Sequence, residues 1–340
     1  MIVAVALHGT PAHIFSQVFG EWLLCYLAGR LLVGRGVDLR LIFRTAVFLA
    51  IFALFQLATG FNFAVLPPFN IVVGAANWTS LQVRADMVRA EVTLGHSIAL
   101  GGILACGSAF LVFERDRVVR YIGFAIIWGG IFATASRGAV VAGAVVAVAM
   151  AISSRLSTAH KLIVVAVVSA AGYFVSLSFV DLIAVDAGAE ASDSADYRAG
   201  LVGLFGYLNL FGVGDYARVA GGGGVYTWGR FQSIDNGYLF LGLYAGWLAL
   251  ALMSLVFMAS LAVGIRRWGA LEAASLGFAT MLLFVAPITQ FQCFGWMLLG
   301  LSAGIGPRGR RLDAVNGSRG WATLLPSGGG KGRVDLEGPA

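Results

Sequence analysis

The sequence predicts an all-α fold: a polytopic bundle of about nine membrane-spanning helices with a large extracytoplasmic loop. Composition is the first observation behind this. Hydrophobic residues make up 59% of the 340 and charged residues only 12%, with a mean hydropathy of +0.85. A soluble domain carries about 25% charged residues. Half that charge cannot cover the surface of a 35.7 kDa globule. A soluble enzyme, a disordered chain and a nucleic-acid-binding domain are excluded on this ground. The second observation is that the apolar stretches are long and unbroken. A transmembrane barrel would alternate in segments of about 10 residues. At roughly 20 apolar residues per span, the chain has room for about eight to ten spans and their loops. The third is the placement of charge between the apolar stretches.

Taken in order, the apolar runs cover about 13–34, 41–60, 94–113, 119–136, 138–153, 162–180, 237–263, 271–287 and 288–305. Arg30, Arg35, Arg40 and Arg44 flank the first junction, and Arg115, Arg117 and Arg120 the third. Arg155 and Lys161 lie at the fifth, Arg266 and Arg267 at the seventh. With the basic residues of the tail, 17 of the 23 fall on one side of an alternating nine-span chain. By the positive-inside rule that side is cytoplasmic. Inside segments then carry a net +10 and outside segments −4, so the overall +6 and the pI near 9.5 reflect topology rather than a nucleic-acid partner. The N-terminus falls outside and the C-terminus inside. An outside start with no charged signal segment is unusual. One reading is a chain that begins downstream of its natural start.

Residues 1–305 form the expected membrane domain and 306–340 a cytoplasmic tail, Gly-, Arg- and Ser-rich, of disordered composition. Two outside loops are long, about 61–93 and 181–236. The first holds Leu66-Pro67-Pro68, which breaks any helix. The second opens acidic, from Asp181 to Asp196, continues into an apolar stretch 197–211 that suits a helix lying at the interface, and contains the run Gly221 to Gly224. Cys25, Cys106 and Cys293 are widely spaced in apolar runs, which predicts packing residues and no metal or redox centre.

Polar groups are costly in a membrane chain, so their positions point to function. They collect at the outer ends of the runs: Glu21, Arg89, His96, Arg137 in the turn TASRGA (Thr134 to Ala139), Arg198, Asp235 and Asn236. Arginines gathered with a few bases suit a polyanionic lipid headgroup, since a guanidinium holds phosphate oxygens bidentately. Each residue also has a structural reading. Arg137 follows a helix C-terminus, where a cation is favoured. Arg198 has Asp193 and Asp196 nearby, and Arg89 has Asp86 and Glu91. Asp235 is placed to cap the next helix. His96 and Glu21 suit hydrogen-bonded packing between helices. No metal-ligand spacing is present.

The order RAEVTLGHSIALGG (Arg89 to Gly102), TASRGA, YRAGLVGLFGYLNLFGVGDY (Tyr197 to Tyr216) and SIDNGYLFLGLYAGWLAL (Ser233 to Leu250) resembles the O-antigen ligase and polymerase family of bacterial envelope glycosyltransferases. Ala58 to Gly60 before Phe61 and Asn62 is similar to the family's exit from an earlier helix, and the likeness covers about Gly20 to Gly304. The resemblance implies an all-helical bundle with a loop folded over the site. It also implies transfer of a glycan from undecaprenyl pyrophosphate to a sugar hydroxyl, outside the cytoplasmic membrane and without a cofactor. Arg137 matches the family's arginine in the S-R-G turn, and Arg198 its arginine at the start of the loop helix. Asp235 and Asn236 stand where ligases usually carry a His-Asn pair, a departure that looks more like the polysaccharide polymerases. The implied roles are charge stabilisation by Arg137 and Arg198 and base or acceptor-orienting work by Asp235. Arg89, His96, Asn236 and Glu21 would bind substrate. Implied partners are the lipid-linked glycan, an acceptor glycan or glycolipid, membrane lipid, and other envelope polysaccharide assembly proteins. Members usually carry about twelve spans. The competing class is a transporter for a polar or anionic solute, which would place ionisable groups near mid-membrane on broken helices.

Overall fold

The structure is a computed structural model and describes residues 17–33, 35, 37–63, 81, 83–84, 87–153, 197, 200–219, 226–229, 231, 234–266, 269–285 and 291–304. The chain is mostly helical. A π-helical turn, Gln17–Leu23, leads into α1 (Leu24–Val33). There follow α2 (Arg40–Thr59), α3 (Ser97–Ser108) with its 3-10 extension Ala109–Phe113, α4 (Arg117–Ala133) and α5 (Arg137–Ser153). After the large loop come α6 (Gly237–Arg266), α7 (Ala270–Met281) and α8 (Phe291–Gly304). Every apolar run within the described residues therefore carries a helix. The run 162–180, the acidic stretch, Arg198, Gly221 to Gly224 and the tail 306–340 lie outside the described residues. Among the described residues one helix, Arg40–Thr59, is by itself long and apolar enough to cross a membrane; Ser97–Phe113, Arg137–Ile152 and Trp247–Ala259 are apolar but shorter.

The expected helical class holds among the described residues, with two short strand pairs added: Val83–Arg84 (β1) pairs antiparallel with Met87–Val88 (β2), and Ala217–Val219 (β3) with Tyr226–Trp228 (β4). One correction concerns the large loop. The stretch 197–211 is not one interfacial helix. Residues 200–203 are helical, Leu204–Tyr207 form a 3-10 turn, Leu208 is extended, and the chain bends through 210–213. Leu201, Leu204 and Leu208 are buried there in a core completed by Trp228, Phe231, Ile234, Leu239, Leu243 and Tyr244.

Caps show why the helices stop where they do. Gly60 adopts a left-handed conformation (φ 67°) and its N–H donates to Gln56 O at 2.8 Å, the αL stop that ends α2. The Asp116 carboxylate accepts from the N–H groups of Val118 and Val119 at 2.7 and 3.1 Å and starts α4. Glycine sets how closely the helices approach. A Cβ at Gly29 of α1 would strike Met297 O of α8, and one at Gly300 would strike Tyr26 O. Gly102 lies against the Phe291 ring, Gly130 against Ala50, and Gly277 against Val146. Cys25 in α1 and Cys293 in α8, two helices in contact, are free thiols.

The basic loops gather at one end of the bundle. Arg44 in the second turn of α2 pairs with Glu114 at 2.9 Å, and the Arg120 guanidinium donates to the Glu114 carbonyl. The Arg44 hydrogen bond holds the buried Glu114 carboxyl below its ordinary value of 4.5, and the Arg115 N–H assists. A depressed carboxylate contributes stability above its unfolded pKa and loses it as pH falls through the folded one. Melting temperature should therefore drop as pH is lowered below about 4.5, and the drop should be smaller in Glu114→Gln. Equal slopes for the two proteins in thermal scans would remove this pair from the acid response.

Candidate active site

The opposite end of the bundle holds Arg89, His96, Arg137, Asp235 and Asn236, and two strained turns build it. The first turn runs from Glu91 to His96. Gln56, wholly buried near the end of α2, accepts at its side-chain oxygen from the N–H groups of both Glu91 and Val92, each at 2.7 Å, and donates to Phe61 O. Val92 sits there at φ 52°, a conformation β-branched residues rarely adopt. The second turn joins α4 to α5, with Ala135 at φ 47° and the Ser136 hydroxyl accepting from Ala139 N–H at 3.3 Å. Backbone strain of this kind, about 1–3 kcal/mol per residue, clusters at functional sites. The two turns are joined. Ala90 N–H donates to Ala133 O at 2.9 Å, and the Arg89 Nε–H donates to Thr134 O at 3.1 Å. Gly101, in the second turn of α3, approaches Thr134 and Ala139.

Gln56→Leu should be costly at this seam. It leaves two buried N–H groups without their acceptor, at about 1–3 kcal/mol each. We expect a melting temperature several degrees lower, whereas Gln56→Glu keeps an acceptor and should lose less. Equal melting temperatures for the wild type and Gln56→Leu would show that the amide does not hold the turn.

Helix starts from elsewhere in the chain complete the end. Gly138 lies against Phe284, and the Gly237 N–H donates to Leu282 O at 2.6 Å. The Asn236 amide donates to Leu283 O at 3.3 Å, while its oxygen accepts from Leu239 N–H at 2.9 Å. So Asn236, not Asp235, provides the cap of α6 that the sequence offered to Asp235. Asp235 is exposed immediately before it. His96 lies in extended conformation just before α3, outside the helical segment, and its Nδ1 is buried with no hydrogen-bond partner among the described residues. Burial pushes the imidazole below its ordinary value, the Arg89 charge adds to this, and the Asp235 carboxylate opposes it. His96 is thus within electrostatic reach of both groups, and Arg89 grips the turn that leads into Arg137.

Arg137 is the first residue of α5. It also follows the C-terminus of α4 across the turn Thr134 to Ser136, so the favourable helix end of the structural reading is beside it and the start of α5 opposes it. The N-terminus carries the positive end of the dipole, so a cation there is disfavoured by the α5 dipole. The starts of α3, α5 and α6 thus lie at one end of the bundle with Arg89 and Arg137. Anions are favoured where helix N-termini and guanidinium groups meet.

Glu21 is brought to a different neighbour. Its carboxylate accepts a short hydrogen bond from the Gln292 amide, and Gln292 in turn accepts from the Trp22 indole at 2.6 Å. The carboxylate is exposed, while Gln292 and Trp22 are buried. Gln56, Gln292 and Thr134 are the residues that sequence reasoning missed. The rule that selected Glu21, a polar group in an apolar run, would have selected both glutamines. Among the described residues no cluster of His, Cys, Asp or Glu is suited to a metal ion. In comparisons with known proteins the chain matches no family model, no curated protein and no solved structure.

Proposed function

We propose that this chain is a multi-pass protein of a bacterial cytoplasmic membrane that transfers a glycan from undecaprenyl pyrophosphate to a sugar hydroxyl, in O-antigen or other envelope polysaccharide synthesis. The observation that carries the reading is the joining of the turn Glu91 to His96 to the turn bearing Arg137, through Arg89 to Thr134 O and Ala90 to Ala133 O, at the end away from the basic loops. The spanning arrangement of about nine helices is part of the proposal. It is supported by glycine-mediated helix contacts and by large apolar side chains on outward faces, such as Leu41, Phe48, Ile122 and Leu255. Small residues at helix contacts are the packing mode of membrane bundles.

In the reaction the acceptor hydroxyl oxygen attacks the anomeric carbon and the bond to the pyrophosphate oxygen breaks. The hydroxyl proton goes to Asp235. Negative charge grows on the leaving lipid pyrophosphate, and guanidinium groups aimed at it stabilise that charge; such electrostatic help is usually the main source of an enzyme's rate enhancement. Arg137 is assigned this task, with Arg198 joining it by the family resemblance. Burial and Arg89 both favour neutral His96, whose ring N–H can donate to a sugar or phosphate oxygen.

The break in α6 at Gly246 favours a second reading, a transporter, because discontinuous helices line transport sites. Against it, the residues beside the break, Ala245 and Trp247, are apolar.

Reconstitution separates the readings. The purified protein in liposomes should convert undecaprenyl-pyrophosphate-linked glycan to a longer or transferred glycan and should ignore nucleotide sugars. EDTA should leave the rate nearly unchanged, since arginines stand where a metal would. Transfer from nucleotide sugars would sink the reading, and movement of unaltered glycan across the bilayer would establish the transporter. A strict requirement for magnesium or manganese would shift attention to the acidic stretch Asp181 to Asp196.

A further inference from the structure

The segment Gln17 to Val33 and α8 run side by side in the same direction, and their contacts climb in step. The Trp22 indole N–H donates to the Gln292 amide oxygen at 2.6 Å, and the Trp22 ring stacks on Trp296 at 5.4 Å. Further along, Gly29 lies on Met297 and Leu301, Gly300 on Tyr26 and Arg30, and Gly304 on Arg30 and Val33. Each advance along α1 is matched by a similar advance along α8, so the two helices are parallel. Helix axes normally pack about 8–10 Å apart. Glycine at the contact brings them nearer. Here a Cβ on Gly29 or Gly300 would strike main-chain atoms of the opposite helix, so the two backbones touch.

Cys25 and Cys293 fall on this seam. Cys25 stands one turn before Gly29, and Cys293 one turn before Met297. Residues four apart share a helix face. In a parallel pair, the turns that precede a contact therefore face one another. Cys25 and Cys293 repeat the Gly29–Met297 contact one turn nearer the helix starts. The Trp22–Gln292 hydrogen bond lies just beyond and keeps the segments together on that side. A disulfide needs Cα atoms about 4.4–6.8 Å apart, a separation that glycine-mediated backbone contact makes available. The three thiols also differ in access. Cys25 and Cys293 are half-buried, whereas Cys106 is wholly buried in α3 against Gly277.

We infer that Cys25 and Cys293 form a disulfide that staples α1 to α8. Cys293 lies in the first turn of α8. With Arg30 and Arg35 on the cytoplasmic side, that end of the seam is extracytoplasmic, where bacterial disulfides form. The electron acceptor is a thiol–disulfide oxidant of that compartment. The thiolate of one cysteine attacks the oxidant's S–S bond and forms a mixed disulfide, and one oxidant sulfur leaves. The thiolate of the second cysteine then displaces the other oxidant sulfur. Two thiols lose two electrons and two protons, and the oxidant ends as two thiols. The pairing rests on the helix contacts alone. The oxidised state in the cell rests on the membrane topology of the proposed function.

The test uses the native full-length chain, purified in detergent and treated with oxidised glutathione. Peptide mapping without reductant should find Cys25 and Cys293 in one cross-linked species that dithiothreitol separates. After denaturation, only Cys106 should take up an alkylating reagent. Three alkylated cysteines, glutathione adducts without the link, or a link to Cys106 would overturn the pairing and leave the membrane reading standing. A second measurement quenches cells expressing the chain in acid and alkylates them before lysis. The same cross-linked species there supports the disulfide. A link made by glutathione in detergent, with both thiols free in the cell, would overturn the disulfide together with the outer placement of this end of the seam.

Discussion

Arg137→Lys is expected to lower the rate of glycan transfer tenfold or more while leaving expression and melting temperature almost unchanged. Lysine keeps the charge but loses the planar fork that holds two phosphate oxygens at once. Each 1.36 kcal/mol of lost transition-state stabilisation is about tenfold in rate, and one of two charge-assisted hydrogen bonds is worth at least that. The position of Arg137 sharpens the expectation. It opens α5, where the helix dipole disfavours any cation, so Lys and Arg carry the same modest penalty there. A purely structural arginine would show the reverse pattern, with Lys tolerated in turnover. Arg198→Lys should behave alike by the family resemblance. Purified variants assayed for transfer and for thermal unfolding decide it. Full activity in both lysine variants would remove these arginines from the site.

Gly246→Ala should be strongly destabilising. The conformation at φ 88° and ψ 175° is one that only glycine adopts readily, and forcing another residue into it costs about 1–3 kcal/mol. Space is also lacking. An added Cβ would stand 2.7 Å from Leu210 O, 2.8 Å from Asn209 O and 2.8 Å from Phe211 Cα. These are backbone atoms of residues 209–211, and the carbonyls of Asn209 and Leu210 accept from Trp247 and Leu248 N–H at 2.8 and 3.2 Å, so relief of the clash means loss of those hydrogen bonds. The total is about 3 kcal/mol or more, a fall in melting temperature of several degrees. Gly203→Ala is the control: nothing lies within 4 Å of its added Cβ, and alanine in a helical position is slightly stabilising. A Gly246→Ala protein that melts with the wild type would mean that the two halves of α6 are not held apart by residues 209–214.

Most of the helical framework was legible in the sequence. The runs 41–60, 119–136 and 138–153 became α2, α4 and α5 with ends shifted by a few residues, because hydropathy summed along a run needs no knowledge of neighbours. The run 94–113 becomes α3 with its 3-10 extension, starting three residues later at Ser97. Its first residues form the turn held by Gln56, and that turn depends on a side chain some 35 residues earlier. The run 237–263 was read as unbroken, since Gly246 in an apolar stretch looks the same whether the helix continues or stops.

The candidate site divides in the same way. Arg89, His96, Arg137, Asp235 and Asn236 could be selected from the sequence, because a polar group at the end of an apolar run is costly whatever its partner. Which groups meet was decided by the tertiary structure. The Glu21 carboxylate faces Gln292, some 270 residues away. The cap of α6 went to Asn236 because its oxygen reaches Leu239 N–H while its amide reaches Leu283 O. Arg137 both follows α4 and opens α5, since the turn between them takes only Thr134 to Ser136, with Ala135 at positive φ. Burial and hydropathy are properties of each residue and its near neighbours, and these a sequence carries openly. Partnership, strain and the supply of hydrogen bonds to a broken helix depend on which distant segments the packed bundle brings together.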